Sequence, residues 1–78
     1  MDRLVLSGRV GVEHAAELRD ALLVLGKSGA AVVDLSGLED FDLSLVQVLM
    51  AARREFPLTI VPPQKEEARA LLHLLGVT

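Results

Sequence analysis

The sequence contains no cysteine, which rules out a disulfide framework and a thiolate metal site. Aromatic residues are nearly missing as well. There are two phenylalanines and neither tryptophan nor tyrosine, so a core has to be assembled from Leu, Val and Ala. No apolar run comes near the roughly 18 residues that a membrane-spanning helix requires. The start, Met1-Asp2-Arg3-Leu4, has no signal-peptide apolar region followed by a small-residue cleavage site, so the chain reads as cytoplasmic without direct membrane insertion. An excess of basic charge is also missing. A formal net charge of −3 argues against nucleic acid as the partner, because phosphate binding needs a concentrated cationic face.

What is present is a chain of 78 residues, 51% of them hydrophobic, which is one small domain from end to end. At this size burial barely offsets chain entropy, so modest stability or help from a partner is expected. Leu4-Val5-Leu6, bounded by Arg3 and Ser7-Gly8, reads as a first strand whose Arg3, Val5 and Ser7 share one face. Gly8-Arg9-Val10-Gly11 turns the chain into a helix over Glu13–Leu25, with Ala15, Leu18, Leu22 and Leu25 as its apolar stripe and Gly26 as a left-handed cap. The apolar run Ala30–Asp34 reads as a central strand of a parallel sheet. A polar loop follows, then a second helix over roughly 43–56 with Leu45, Val48, Leu49, Ala52 and Phe56 on its core face.

Pro57 stops that helix, and Leu58–Val61 reads as a third strand. Pro62-Pro63 opens a last helix with Leu71, Leu72, Leu74 and Leu75 on its apolar side and Gly76 at its end. Three successive strand-helix units predict an α/β fold: a small sheet of three to four strands, mostly parallel, with three helices packed mainly on one face. The opposite face would then carry Arg3, Ser7 and Thr59.

The most informative residues lie between the second strand and the second helix. Ser44 sits at the helix start, where free backbone N–H groups attract an anion, and is the candidate phospho-acceptor. Ser44-Leu45-Val46-Gln47 also fits the capping box S-x-x-Q, and Asp42 is an alternative cap that would leave Ser44 inside the first turn. Asp34, Asp40 and Asp42 could be read as a cation site, but caps and solvated loop charges are the simpler reading, and no metal is expected. Gly8-x-x-Gly11 lacks the third glycine of a dinucleotide loop and the Gly-Lys-Ser/Thr of a P-loop, so these are turn glycines and no cofactor is expected.

His14 and His73 have no serine or acid at a recognisable catalytic spacing and read as surface residues. With neither a phosphate loop nor a general base beside Asp34, Asp42 and Ser44, the chain is not read as an enzyme. Val46 and Met50, one turn apart and off the core stripe, suggest an exposed apolar patch. Arg53-Arg54 suits the negative end of its helix.

Asp34-Leu35-Ser36-Gly37-Leu38, then Phe41-Asp42-Leu43-Ser44 and an apolar helix, resembles the STAS domain (sulfate transporter and anti-sigma factor antagonist). Leu6-Ser7-Gly8-Arg9-Val10 is similar to that family's early strand and glycine pattern, and Leu71-Leu72-His73-Leu74-Leu75-Gly76-Val77 to its last helix. The resemblance spans nearly the whole chain and implies binding rather than catalysis. In the anti-sigma factor antagonist branch a partner kinase phosphorylates a serine at the start of the second helix, and the unphosphorylated form binds that kinase. The family's Asp-Ser-Ser-Gly-Leu motif falls on Asp42-Leu43-Ser44-Leu45-Val46, which puts the acceptor at Ser44, and Asp34 matches an acidic position beside it.

Leu43 replaces the first serine of the motif, and Leu45 replaces its glycine. The partner-binding residues implied are Asp34, Asp42, Leu43, Leu45, Val46, Gln47 and Met50. The partner is then a serine kinase acting as anti-sigma factor. Alternatively the domain is a constitutive component of a chemosensory complex or a lipid-transport ATPase. The family usually has one more strand ahead of the one ending at Leu6, and an edge left open there invites homodimerisation.

Overall fold

The computed structural model describes residues 3–78. Its elements are strand β1 (Arg3–Val10), a 3-10 turn (Val12–His14), helix α1 (Ala15–Gly26), strand β2 (Ala31–Phe41), helix α2 (Leu43–Glu55), strand β3 (Leu58–Val61) and helix α3 (Glu66–Leu74). Among the described residues the sheet has three strands in the order β1-β2-β3, and both pairings are parallel. This is the α/β arrangement that three strand-helix repeats predict.

The period-two pattern of the strands separates the two faces of the sheet. Ala31, Val33 and Leu35 of β2 are buried, while Arg3, Val5 and Ser7 of β1 and Thr59 of β3 are exposed. Leu22 of α1, Leu45 and Leu49 of α2 and Leu72 of α3 join Val33, Leu35 and Leu38 in a single core, so all three helices serve one face of the sheet. Burying each such leucine contributes about 1.5–3 kcal/mol.

Several expectations change. β2 does not stop at Asp34 but runs to Phe41, because Gly37, Leu38, Asp40 and Phe41 pair with β1 instead of forming a loop. The segment is rich in turn-forming residues, and β2 absorbs two extra residues relative to β1, between the Val5 and Ser7 pairs and between the Gly8 and Arg9 pairs. Such bulges bend a strand without ending it. β1 likewise continues through Gly8 to Val10.

Gly26 is not a left-handed cap. It is the last helical residue of α1, and the positive φ falls on Gly29. A Cβ at Gly26 would lie 2.4 Å from the Phe56 ring, so the missing side chain serves close packing between the ends of α1 and α2. Pro62-Pro63 precede α3 by several residues rather than forming its first turn, and Pro63 is itself buried.

The apolar side of α3 is Ala68 and Leu72, whereas Leu71, Leu74 and Leu75 are exposed. The end of α3 is as expected. Gly76 is left-handed, its N–H donates to His73 O, and Val77 N–H donates to Leu72 O at 2.9 Å. That is the paired bonding of a Schellman motif, with buried Val77 against buried Leu72 as its apolar contact. Arg53 of α2 clamps the same turn, donating to Val77 O at 2.9 Å and Gly76 O at 3.0 Å.

Candidate functional site

β2 delivers the chain directly into α2, and the junction is held by one side chain. Asp42 has extended backbone and is the N-cap of α2. Its Oδ1 accepts the N–H of Ser44 at 2.9 Å, and its Oδ2 accepts the N–H of Val12 at 2.8 Å. One carboxylate therefore satisfies donors from both helical starts, the 3-10 turn that leads into α1 and the first turn of α2. Gly11 makes room for it, since a Cβ there would lie 3.0 Å from Oδ2. This explains the second glycine of Gly8-x-x-Gly11 as a matter of clearance.

The Val12 N–H holds the Asp42 carboxyl below the usual carboxylate range, helped by the N–H and hydroxyl of Ser44 and the charge of Arg9. Asp42 is thus ionised at neutral pH, with the Ser44 hydroxyl against it. Arg9 reaches Glu13 at 3.3 Å and Asp40 at 3.5 Å, giving this end of the molecule a mixed polar rim. His14 joins the same turn, where its Nδ1 accepts the N–H of Gly11 at 3.3 Å.

Ser44 lies inside the first turn of α2, half-buried, with Asp42 and not Ser44 as the cap. Asp34 is not beside it. Strand residues advance about 3.3 Å each, so the continuation of β2 to Phe41 separates Asp34 from the helix start by roughly 20 Å. Asp34 faces the open side of the sheet, where Arg3 Nη2 approaches Oδ2 at 2.8 Å and the Ser36 N–H donates to Oδ1 at 2.9 Å. The Ser36 hydroxyl and N–H, followed by the Arg3 guanidinium, lower its pKa to about 2. The three aspartates are therefore dispersed: Asp34 pairs with Arg3, Asp40 with Arg9, and Asp42 caps. Among the described residues no group of three or more His, Asp or Glu is placed to hold a metal ion.

The expected apolar patch changes composition. Val46 is 6% exposed and Leu45 1%, so both belong to the core and not to an exposed patch. Val46 falls on the sheet-facing side because the buried stripe of α2 takes in 45, 46, 49 and 52. Met50 is partly buried against that core, with its sulfur 3.0 Å from Arg53 Nη2. Gln47 is exposed.

Leu43 is 59% exposed at the first position of α2. Val12, to which helical periodicity does not point, is 66% exposed on the other arm of the Asp42 bridge. The signal for Val12 was a lone aliphatic between Gly11 and Glu13, outside any helical stripe. Asp42 thus brings together two exposed aliphatics and Ser44.

A family model described as "Mlab, STAS domain" matches residues 1–78, the whole chain. The chain belongs to the STAS family. No curated protein matches it. Membership gives the domain a general STAS-type role in protein interaction. STAS domains are generally non-enzymatic regulatory modules. No helix among the described residues is long and apolar enough to cross a membrane.

Proposed function

We propose that this STAS domain is a cytoplasmic regulatory module that docks a protein partner on the surface around Val12, Leu43, Ser44 and Gln47, and that phosphorylation of Ser44 turns docking off. The observation that carries the reading is the Asp42 bridge, which binds Val12 N–H and Ser44 N–H with one carboxylate. A phosphoryl group on Ser44 adds about −1.5 to −2 charges and three acceptor oxygens. Placed against the ionised Asp42, it repels that carboxylate and competes for the first-turn N–H groups of α2. Asp42 then releases Val12, the 3-10 turn moves, and the two aliphatics no longer present one surface. The partner class is a serine kinase that also serves as anti-sigma factor, bound by the unphosphorylated domain.

The test is intact mass and site mapping of the protein from its native cells, together with capture of its partner by wild type, Leu43→Asp, Val12→Asp and Ser44→Asp. A single phosphate at Ser44, and loss of capture in all three folded variants, is the expected result. Partner capture that survives both Leu43→Asp and Val12→Asp overturns the docking surface.

A second reading is favoured by Leu43 itself. A large exposed aliphatic stands directly before the acceptor, where it would crowd a kinase active site while still serving a permanent contact. In that reading the domain is a constitutive component of a chemosensory complex or a lipid-transport ATPase. Protein that carries no phosphate under any growth condition, yet loses its partner with Leu43→Asp, selects this reading over the switch.

A further inference from the structure

β1 pairs with β2 on one side, and among the described residues nothing pairs with its other side. Beside that free edge, between β1 and α1, lies a groove of about 360 Å³ lined by the aliphatics Leu4, Leu6, Val10, Leu18 and Ala21, together with Arg9, His14 and Glu17. An unpaired edge alone is common, and so is a shallow apolar groove. Here they adjoin, so a strand added to β1 would bond its backbone to the edge and drop alternate side chains into the groove. The occupant must therefore carry aliphatics at every second position on its inner face. β1 itself has that pattern, with Leu4 and Leu6 inward and Arg3, Val5 and Ser7 outward.

Three features fit a second copy in particular. First, both irregularities of the β1–β2 ladder insert residues into β2, so β1 stays regular from Arg3 to Ser7 until Gly8 turns left-handed at φ 67°. Second, an antiparallel pair of these segments centred on Val5 sets Val5 against its mate, Leu4 against Leu6, and Arg3 against Ser7, with no like charges opposed. Third, the charges that ordinarily guard an edge strand are already paired within the chain, Arg3 with Asp34 and Arg9 with Glu13 and Asp40.

We propose that two copies of this domain associate through antiparallel β1–β1 pairing about a two-fold axis at Val5, giving a continuous six-stranded sheet whose α1 helices flank the shared leucines. Val5, 61% exposed on the open face of the monomer, meets its own mate there. The α2 start stays outside this contact, so the proposal stands or falls independently of the docking reading.

Sedimentation equilibrium of the full chain from micromolar to millimolar concentration tests it, alongside Val5→Lys, Val5→Cys and Thr59→Cys. Wild type is expected to double in mass with rising concentration. Val5→Lys opposes two ammonium groups and is expected to remain monomeric with a native far-UV spectrum. Opposed Cβ atoms in such a pair lie about 5 Å apart. Because the native chain has no cysteine, Val5→Cys is expected to give a single disulfide-linked dimer on oxidation, and Thr59→Cys, on the far strand, is expected to stay monomeric. A wild type that is monomeric at every concentration overturns the proposal. So does a dimer unaffected by Val5→Lys, or cross-linking through Thr59→Cys equal to that through Val5→Cys.

Discussion

Asp42 and Asp34 are both aspartates held ionised by hydrogen bonds, yet they do different work. Asp42 joins two helical starts, so its loss disturbs the site and the fold together. Asp42→Ala removes both acceptors and is expected to lower Tm by several degrees. Asp42→Asn keeps one acceptor oxygen and should fall between Ala and wild type. Thermal melts with amide shifts of Val12 and Ser44 check this, and equal melting of all three proteins would show that the bridge contributes nothing. Asp34 supplies a pH test. Its pKa is depressed to about 2 in the folded chain, against about 4 for an unfolded aspartate. A depressed carboxyl stabilises the fold above its unfolded pKa, and that contribution is lost as pH falls through the folded value. Wild type should therefore lose stability between about pH 4 and pH 2. Asp34→Asn should be less stable than wild type at neutral pH and lose less on acidification, so that the two urea midpoints converge near pH 2.

At the scale of elements, α1 and α2 meet through Gly26 and Phe56. Gly26→Ala gains up to about 1 kcal/mol of helix propensity. A new Cβ at 2.4 Å from the ring forces Phe56 to move, and overpacking of this kind costs about 1–3 kcal/mol. The clash is expected to win, giving a net loss, while the same substitution in a Phe56→Leu background should be neutral or stabilising. A double-mutant cycle by urea unfolding measures that coupling, and additive effects would reject the contact. The same element shows how far the sequence could be read. Periodicity located every helix and strand to within a few residues where the stripe was apolar, as for α2 and β3. It misplaced boundaries where the deciding interaction is distant. Nothing local says that Gly29 rather than Gly26 takes the left-handed turn, or that the chain from Gly37 to Phe41 pairs with β1 rather than looping. The site was half legible for the same reason. Ser44 and Asp42 carry a local helix-start signal, whereas Val12 joins them only through a hydrogen bond spanning 30 positions.

At the scale of the whole molecule, one leucine-rich core on one side of a three-stranded sheet has to hold everything. For a chain of this length total stability is about 4–12 kcal/mol. Leu49 is almost completely buried in that core, and truncating a leucine in such a place costs about 2–5 kcal/mol. Leu49→Ala is therefore expected to remove a large share of the total and lower Tm by ten degrees or more, at about 4–8 °C per kcal/mol for a domain of this size. Leu74 belongs to the run that the sequence presents as the apolar side of α3, but it is 81% exposed. Leu74→Ala should leave the isolated domain within about 0.5 kcal/mol of wild type. Urea unfolding of both variants separates the two sites, and unchanged m-values would keep the comparison one of stability alone. A loss at Leu74 comparable to that at Leu49 would mean that α3 packs through its leucine run and that Ala68 and Leu72 are not its buried side. A neutral Leu74 leaves Leu71, Leu74 and Leu75 as an apolar surface that the stability of this domain does not require.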